Sequence, residues 1–168
     1  MSTVNVLVLC TGNSALSILG EALFNHLGEG RVRAFSAGSQ PAGKVNPVAL
    51  ETLEKHGVPL PEARSKSWDE FAAPGAVRLD YIFTVCASAA GEACPIWPGR
   101  PATAHWGIDD PAHVEPMSAR QAAFEVAYQQ LARRVKAFVA LPLETMSADE
   151  VKAAARKIHE DALKEEAK

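Results

Sequence analysis

The sequence predicts an α/β chain in which helices pack against a central, mostly parallel sheet. Two observations carry this. Apolar, β-branched runs without polar alternation recur along the chain, the pattern of strands buried on both faces. Between them lie segments whose apolar residues fall at helical spacing, so strands and helices alternate. A third observation adds function to architecture. Cys10, Cys86 and the residues around Ser36 fall at the carboxyl ends of expected strands, where such sheets place their ligands.

The first strand is expected over residues 4–9, followed by the turn-rich stretch Thr11-Gly12-Asn13-Ser14. Ile18, Leu19, Ala22, Leu23 and Leu27 then mark a helix over residues 18–27, stopped by Gly28 and Gly30. A second strand covers residues 32–36 and closes on Ala37-Gly38. Asn46 as N-cap, Pro47 at the first helical position and Gly57 beyond the end bracket a helix over residues 47–56. A short helix starts at Ser67 and ends at Pro74-Gly75. Residues 81–85 are a third unalternating strand, and residues 118–139 a long amphipathic helix with Ala122, Phe124, Val126, Tyr128, Leu131, Val135, Phe138 and Val139 on its apolar side.

At 168 residues the chain has the size of one domain. Its expected organisation is an α/β domain over residues 1–140 and a helical extension over residues 141–168. In the extension, Ser147-Ala148-Asp149-Glu150 reads as a capping box, and Val151, Ala155, Ile158 and Ala162 form a thin apolar stripe. Acids outnumber bases there by seven to five, so this helix is expected to be solvated, docked weakly or used against another chain.

Hydrophobic residues at 48% and charged residues at 22% describe a globular chain and exclude global disorder. With 17 basic and 20 acidic side chains, the net charge of −3 leaves no excess to neutralise phosphate backbones, so nucleic acid is not an expected partner. No apolar run is long enough to span a membrane. The N-terminal stretch has neither a basic n-region nor a small-residue cleavage site, so a cytoplasmic location with reduced thiols is expected. There, Cys10, Cys86 and Cys94 matter as nucleophiles, redox groups or ligands. His26, His56, His105, His113 and His159 show no ligand spacing, so neither a metal site nor a cofactor is expected.

The chemical centre is the strand–loop–helix step after Cys10. Backbone N–H groups of residues 11–17 can curl around one point at the start of a helix, and those donors favour both a thiolate and a neighbouring oxyanion. Gly12 permits unusual dihedrals, Asn13 can brace the loop, and Ser14 and Ser17 offer hydroxyl donors.

This run, Cys10-Thr11-Gly12-Asn13-Ser14-Ala15 followed by Ser17, resembles the phosphate-binding loop of the low-molecular-weight protein tyrosine phosphatases and of the arsenate reductases that share their fold. The segments at residues 35–38, at residues 81–86 and at His105-Trp106-Gly107-Ile108-Asp109-Asp110-Pro111 resemble further motifs of that family. The likeness extends over about residues 4–140, and the Cys86, Cys94-Pro95 and His-Trp-Gly segments favour the arsenate-reductase branch.

The resemblance implies a three-layer sandwich with an oxyanion-binding loop of Thr11, Gly12, Asn13, Ser14, Ala15, Leu16 and Ser17. It implies Cys10 as nucleophile towards arsenate, Cys86 and Cys94 as successive thiols of a disulfide relay, and Asp110 as general acid. Asp109 is expected to be structural, and His105 to pack or hydrogen-bond near Trp106. Implied partners are arsenate or a phosphate-like oxyanion, and thioredoxin or glutathione with glutaredoxin as reductant. The chain is expected to be a monomer or weak homodimer. One position departs from the pattern: Leu16 stands where the family carries an arginine that forks onto two oxyanion oxygens. Arg64, Lys66 and Arg100 are candidate substitutes by motif position. Some relatives bind potassium near the loop through residues matching Asn13, Glu21 and Ser36 plus an acid. Lys66 stands at the acid's position, so its ammonium is expected in place of the ion. Two other readings remain open, a phosphomonoesterase acting on phosphotyrosine or a small molecule, and a non-catalytic binder of oxyanions or arsenite.

Overall fold

The structure is a computed structural model that describes residues 3–60, 64–85 and 101–167. Strand β1 (Val4–Cys10) is followed by α1 (Leu16–Gly28), β2 (Val32–Gly38), α2 (Pro47–Lys55) and the short α3 (Asp69–Ala72). Then come β3 (Tyr81–Thr84), β4 (Ala102–His105), α4 (Met117–Val139), a 3₁₀ turn (Leu143–Thr145) and α5 (Ala148–Glu166). The four strands form one sheet in the order β2-β1-β3-β4, with every pairing parallel.

Burial of β1 on both faces explains its unalternating sequence. Val6 and Val8 belong to a large apolar cluster with Leu19, Leu23 and Phe24 of α1 and Phe124, Leu131 and Phe138 of α4. Leu7 and Leu9 turn the other way, into a smaller cluster with Phe71 of α3, Leu79 and Ile82. The sheet is thus the middle of three layers. Helix α1 lies close on β1, since a Cβ at Gly20 would come within 2.9 Å of a Val8 methyl.

The expected start holds for α2, whose Asn46 side chain accepts from the Val48 N–H and which ends one residue early, at Lys55, and the expected Ser147–Glu150 capping box is closed in both directions. Three expectations change. Helix α1 begins at Leu16, not at residue 18, and runs through Gly28 to an αL cap at Glu29. Strand β4 has no counterpart among the elements expected from the sequence. The C-terminal helix is not a loosely held tail: Val151 and Ala155 are buried in the main core, and the Trp106 Nε1–H donates to the Ala155 carbonyl over 2.9 Å. Arg134 of α4, fully buried, holds the far end of α5 by a two-pronged bond to Glu166 at 2.7 and 2.9 Å, and donates to His159 Nδ1 at 3.0 Å. Among the described residues, no helix is long and apolar enough to cross a membrane.

Candidate active site

Parallel pairing brings the carboxyl ends of β1, β2 and β3 to one edge of the sheet. Cys10 stands beside Gly38, and Leu9 beside Thr84. From Cys10 the chain bends through Asn13, whose positive φ of 45° is tolerated by a short polar side chain, and enters α1 at Leu16. No side chain caps that N-terminus. The first turn's N–H groups and the positive end of a 13-residue helix therefore sit beside the cysteine.

A buried chain of hydrogen bonds fixes the sulfur. Cys10 Sγ lies 3.0 Å from Ser17 Oγ, and Asn13 Nδ2 donates to the same Ser17 oxygen at 2.8 Å. With its hydroxyl oxygen accepting from Asn13, Ser17 is set to turn its own proton towards the sulfur. Asn13 in turn accepts from the Lys66 backbone N–H at 2.8 Å. Asn13 and Ser17 are both 0% exposed, so each bond is shielded from water. Two outer segments clamp the loop. Ser65 donates to the Gly12 carbonyl, and the N–H groups of Gln40, Ala42 and Asn46 donate to the carbonyls of Thr11, Gly12 and Ser14. Gly38 is needed for this approach, because a Cβ there would fall 2.8 Å from the Cys10 carbonyl oxygen.

Outside the loop lies a cleft of about 470 Å³, lined by Cys10, Thr11, Gly12, Ser14, Ala15 and Leu16 and closed by Ala42, Ile108, Asp109, Asp110, Ala112 and His113. Cys10 and Asp110, more than 90 positions apart in sequence, therefore face one space. Asp110 Oδ1 accepts from the Ala112 N–H at 2.9 Å, which holds the turn and leaves the exposed carboxyl at the cleft. Asp109, expected to be structural, lines the same space. His105 makes a 2.7 Å bond to Thr84 Oγ1, in keeping with the packing role expected for it.

Of the candidate substitute cations, Arg64 and Lys66 are not at this cleft. Leu16 lines it with a side chain only 1% exposed, packed into the main core. Arg64 forks onto Glu70 at 2.6 and 2.9 Å, and Lys66 Nζ bonds to the Arg64 carbonyl at 3.1 Å. Both open onto a second cleft, between α1 and β2. They are excluded by direction: the strand-like pairing of Ser67 with Gly38 turns the side chains of this segment behind the loop. Lys66 is placed against Glu21, one of the residues named with it from the sequence. Its Nζ is 3.7 Å from the Glu21 carboxylate, which accepts from the Ser36 hydroxyl at 2.8 Å. Burial lowers the Lys66 pKa, and the Glu21 charge opposes that shift. Cys86, Cys94 and Arg100 lie outside the described residues. Among the described residues, no group of three or more His, Cys, Asp or Glu side chains gathers to hold a metal ion.

Of the residues named from the sequence, Cys10, Thr11, Gly12, Ser14, Ala15, Leu16 and Asp110 line the cleft, whereas Asn13 and Ser17 lie fully buried outside its lining. Ala42, Ile108, Ala112 and His113 are walls that the sequence reading does not assign to the site. His113 carried the only signal, as a titratable residue three positions beyond Asp110.

Comparison with known proteins identifies the family and the fold. A family model described as low molecular weight phosphotyrosine protein phosphatase matches residues 5–164. An arsenate reductase of Bacillus licheniformis is 33% identical over 140 residues, 82% of this chain and 96% of that protein. The crystal structure of an arsenate reductase from Archaeoglobus fulgidus superposes with a TM-score of 0.63 at 28% identity, covering 81% of this chain and 99% of the other. A tyrosine phosphatase from Escherichia coli K30, solved with sulphate, shares the fold with a TM-score of 0.66 at 24% identity, covering 83% and 98%.

Proposed function

This chain belongs to the low molecular weight phosphotyrosine protein phosphatase family, and we propose that within it the chain is a thiol-dependent arsenate reductase. The observation that carries the reading is the Cys10 sulfur held 3.0 Å from Ser17 Oγ, at a helix N-terminus and inside the cleft that Asp110 shares. Relatives at about 30% identity over most of their length are arsenate reductases, which selects arsenate over a phosphate ester as the substrate.

The loop's N–H groups and the Ser17 hydroxyl favour the Cys10 thiolate over the thiol. That thiolate attacks the arsenic of arsenate and forms a sulfur–arsenic bond. An oxygen leaves as water, taking a proton from Asp110. The Cys86 thiolate then attacks the Cys10 sulfur. The electron pair of the sulfur–arsenic bond stays on arsenic, which leaves as arsenite, and a Cys10–Cys86 disulfide remains. Attack by Cys94 on Cys86 passes the disulfide outward and frees Cys10. A thiol reductant, either the dithiol of thioredoxin or two glutathione molecules acting with glutaredoxin, supplies the two electrons that restore the thiols. Lacking a loop guanidinium, the site stabilises the developing charge with amide dipoles, so turnover is slow for the family.

Arsenite formation from arsenate, measured with each reductant in turn, tests the reading. Arsenite release that needs Cys10, Cys86 and Cys94 together is expected. Hydrolysis of a phosphotyrosine ester that survives Cys86→Ser, with no arsenite under any reductant, would replace the reductase by a phosphatase.

A further inference from the structure

We propose that His113 is an oxyanion-binding residue of the Cys10 cleft, supplying as an imidazolium the positive charge that Leu16 withholds. The inference rests on the Cys10 loop being an oxyanion site, and adds to it the group that balances charge. A tetrahedral dianion entering the cleft meets Cys10, Asp109 and Asp110. The loop amides offer only partial positive charge, about half a unit at a helix N-terminus. At position 16 the chain places buried hydrocarbon. Arg64 is forked onto Glu70, Lys66 faces Glu21, and both line another cleft. Among the described residues that line the Cys10 cleft, His113 is the one able to carry a full positive charge.

Its placement suits the task. Pro111 is buried and the Ala112 N–H is tied to Asp110, so the backbone leading to His113 is anchored. The side chain is exposed, so it can turn to the ligand without leaving a buried group unpaired. An anion between the loop amides and an imidazolium is contacted from two sides, as a guanidinium fork would otherwise ensure. The arrangement makes anion binding weaker wherever His113 is neutral.

Inorganic sulfate is the probe, since it remains a dianion from pH 5.5 to 8. The Cys10→Ser variant removes the thiolate, which leaves Asp109 and Asp110 as the other titratable groups of the cleft. Both face the same anion, so the share that belongs to His113 is the pH dependence that His113→Gln removes. Titration calorimetry of sulfate into Cys10→Ser should show affinity falling roughly tenfold from pH 5.5 to pH 8, the scale of one added ion pair. Adding His113→Gln should hold affinity at the weaker value at both pH values, and His113→Lys should hold it at the stronger. Sulfate binding that is independent of pH, or unchanged by His113→Gln, would remove His113 from the site and leave the loop reading standing. Absence of sulfate binding at any pH, in Cys10→Ser and in the unsubstituted chain alike, would overturn both.

Discussion

Around Arg134 a guanidinium is buried and matched on every side, whereas beside Cys10, where a tetrahedral anion would gain from one, the chain buries a leucine. On the first flank, Arg134 meets Glu166 at 2.7 and 2.9 Å, His159 at 3.0 Å and the Gln130 carbonyl at 2.9 Å. Full charges are spent there on holding α5 to α4. At the cleft, order comes from neutral groups: the Ser17 hydroxyl, the Asn13 amide and backbone N–H groups from Lys66 and residues 40–46. The difference separates two uses of polarity. A buried ion pair fixes one packing and tolerates the loss of neither partner. A cradle of dipoles leaves room for a charge that arrives with the ligand.

The largest expected effect falls on the cleft. Cys10→Ser should lower arsenite formation by at least roughly 10³-fold, with a urea midpoint close to the parent's, since the change is small and the serine can keep a bond to Ser17. The flank should give the largest loss of stability. Arg134→Ala leaves Glu166 half-buried without its main partner and should cost about 3–5 kcal/mol in urea unfolding. The joint change Arg134→Met with Glu166→Leu should recover most of that loss. If the single and joint variants were equally unstable, the flank would owe its stability to packing and not to charge.

Leu16→Arg transfers the flank's device to the cleft. It should raise arsenite formation by about 10²–10³-fold, the usual weight of a preorganised oxyanion donor, while lowering thermal stability because position 16 is buried. An unchanged rate would mean that the cleft is already balanced. A smaller effect concerns pH. Burial first, then the charges of Arg134 and His105, lower the His159 pKa below its ordinary 6.5. The unfolded chain then binds more protons than the folded one just below pH 6.5. Stability is therefore fully present above 6.5 and declines as the pH falls from there to the folded value. His159→Gln should flatten that slope in urea unfolding between pH 5 and 7. The carboxylate of Glu125, held at about 2 by bonds from Gln129, His56 and Lys55, acts in a separate window, below 4.5. The smallest effect belongs to Ser147→Ala, which opens the capping box of α5 and should cost about 1 kcal/mol.

The same contrast shows what was legible in the sequence. Strand β1, the Asn46 cap and the Ser147–Glu150 box announce themselves within a few residues, because buried strands and helix caps are local physics. The Cys10 loop is likewise local, and Asn13 can be read as its brace and Ser17 as a hydroxyl donor from their side-chain chemistry. Strand β4 is not legible. Ala102-Thr103-Ala104-His105 lacks a β-branched run and owes its place to pairing with β3. The docking of α5 is hidden for a similar reason. Its stripe is thin, and its anchors, Trp106 to Ala155 and Arg134 to Glu166, span 49 and 32 positions. At the cleft, His113 and Ile108 gain their meaning only when the turn after β4 is folded against the loop. Arg64 and Lys66 looked eligible by position, and only the pairing of Ser67 with Gly38 shows that they face away.

The central claim is that the Cys10 sulfur is an anion in a cradle built for an oxyanion. The rate of Cys10 alkylation by iodoacetamide, followed by peptide mass spectrometry across pH with and without arsenate, measures this directly. The account predicts a midpoint below the ordinary thiol value of about 8.5 and protection by arsenate. A midpoint at or above 8.5, with alkylation indifferent to arsenate, would contradict it.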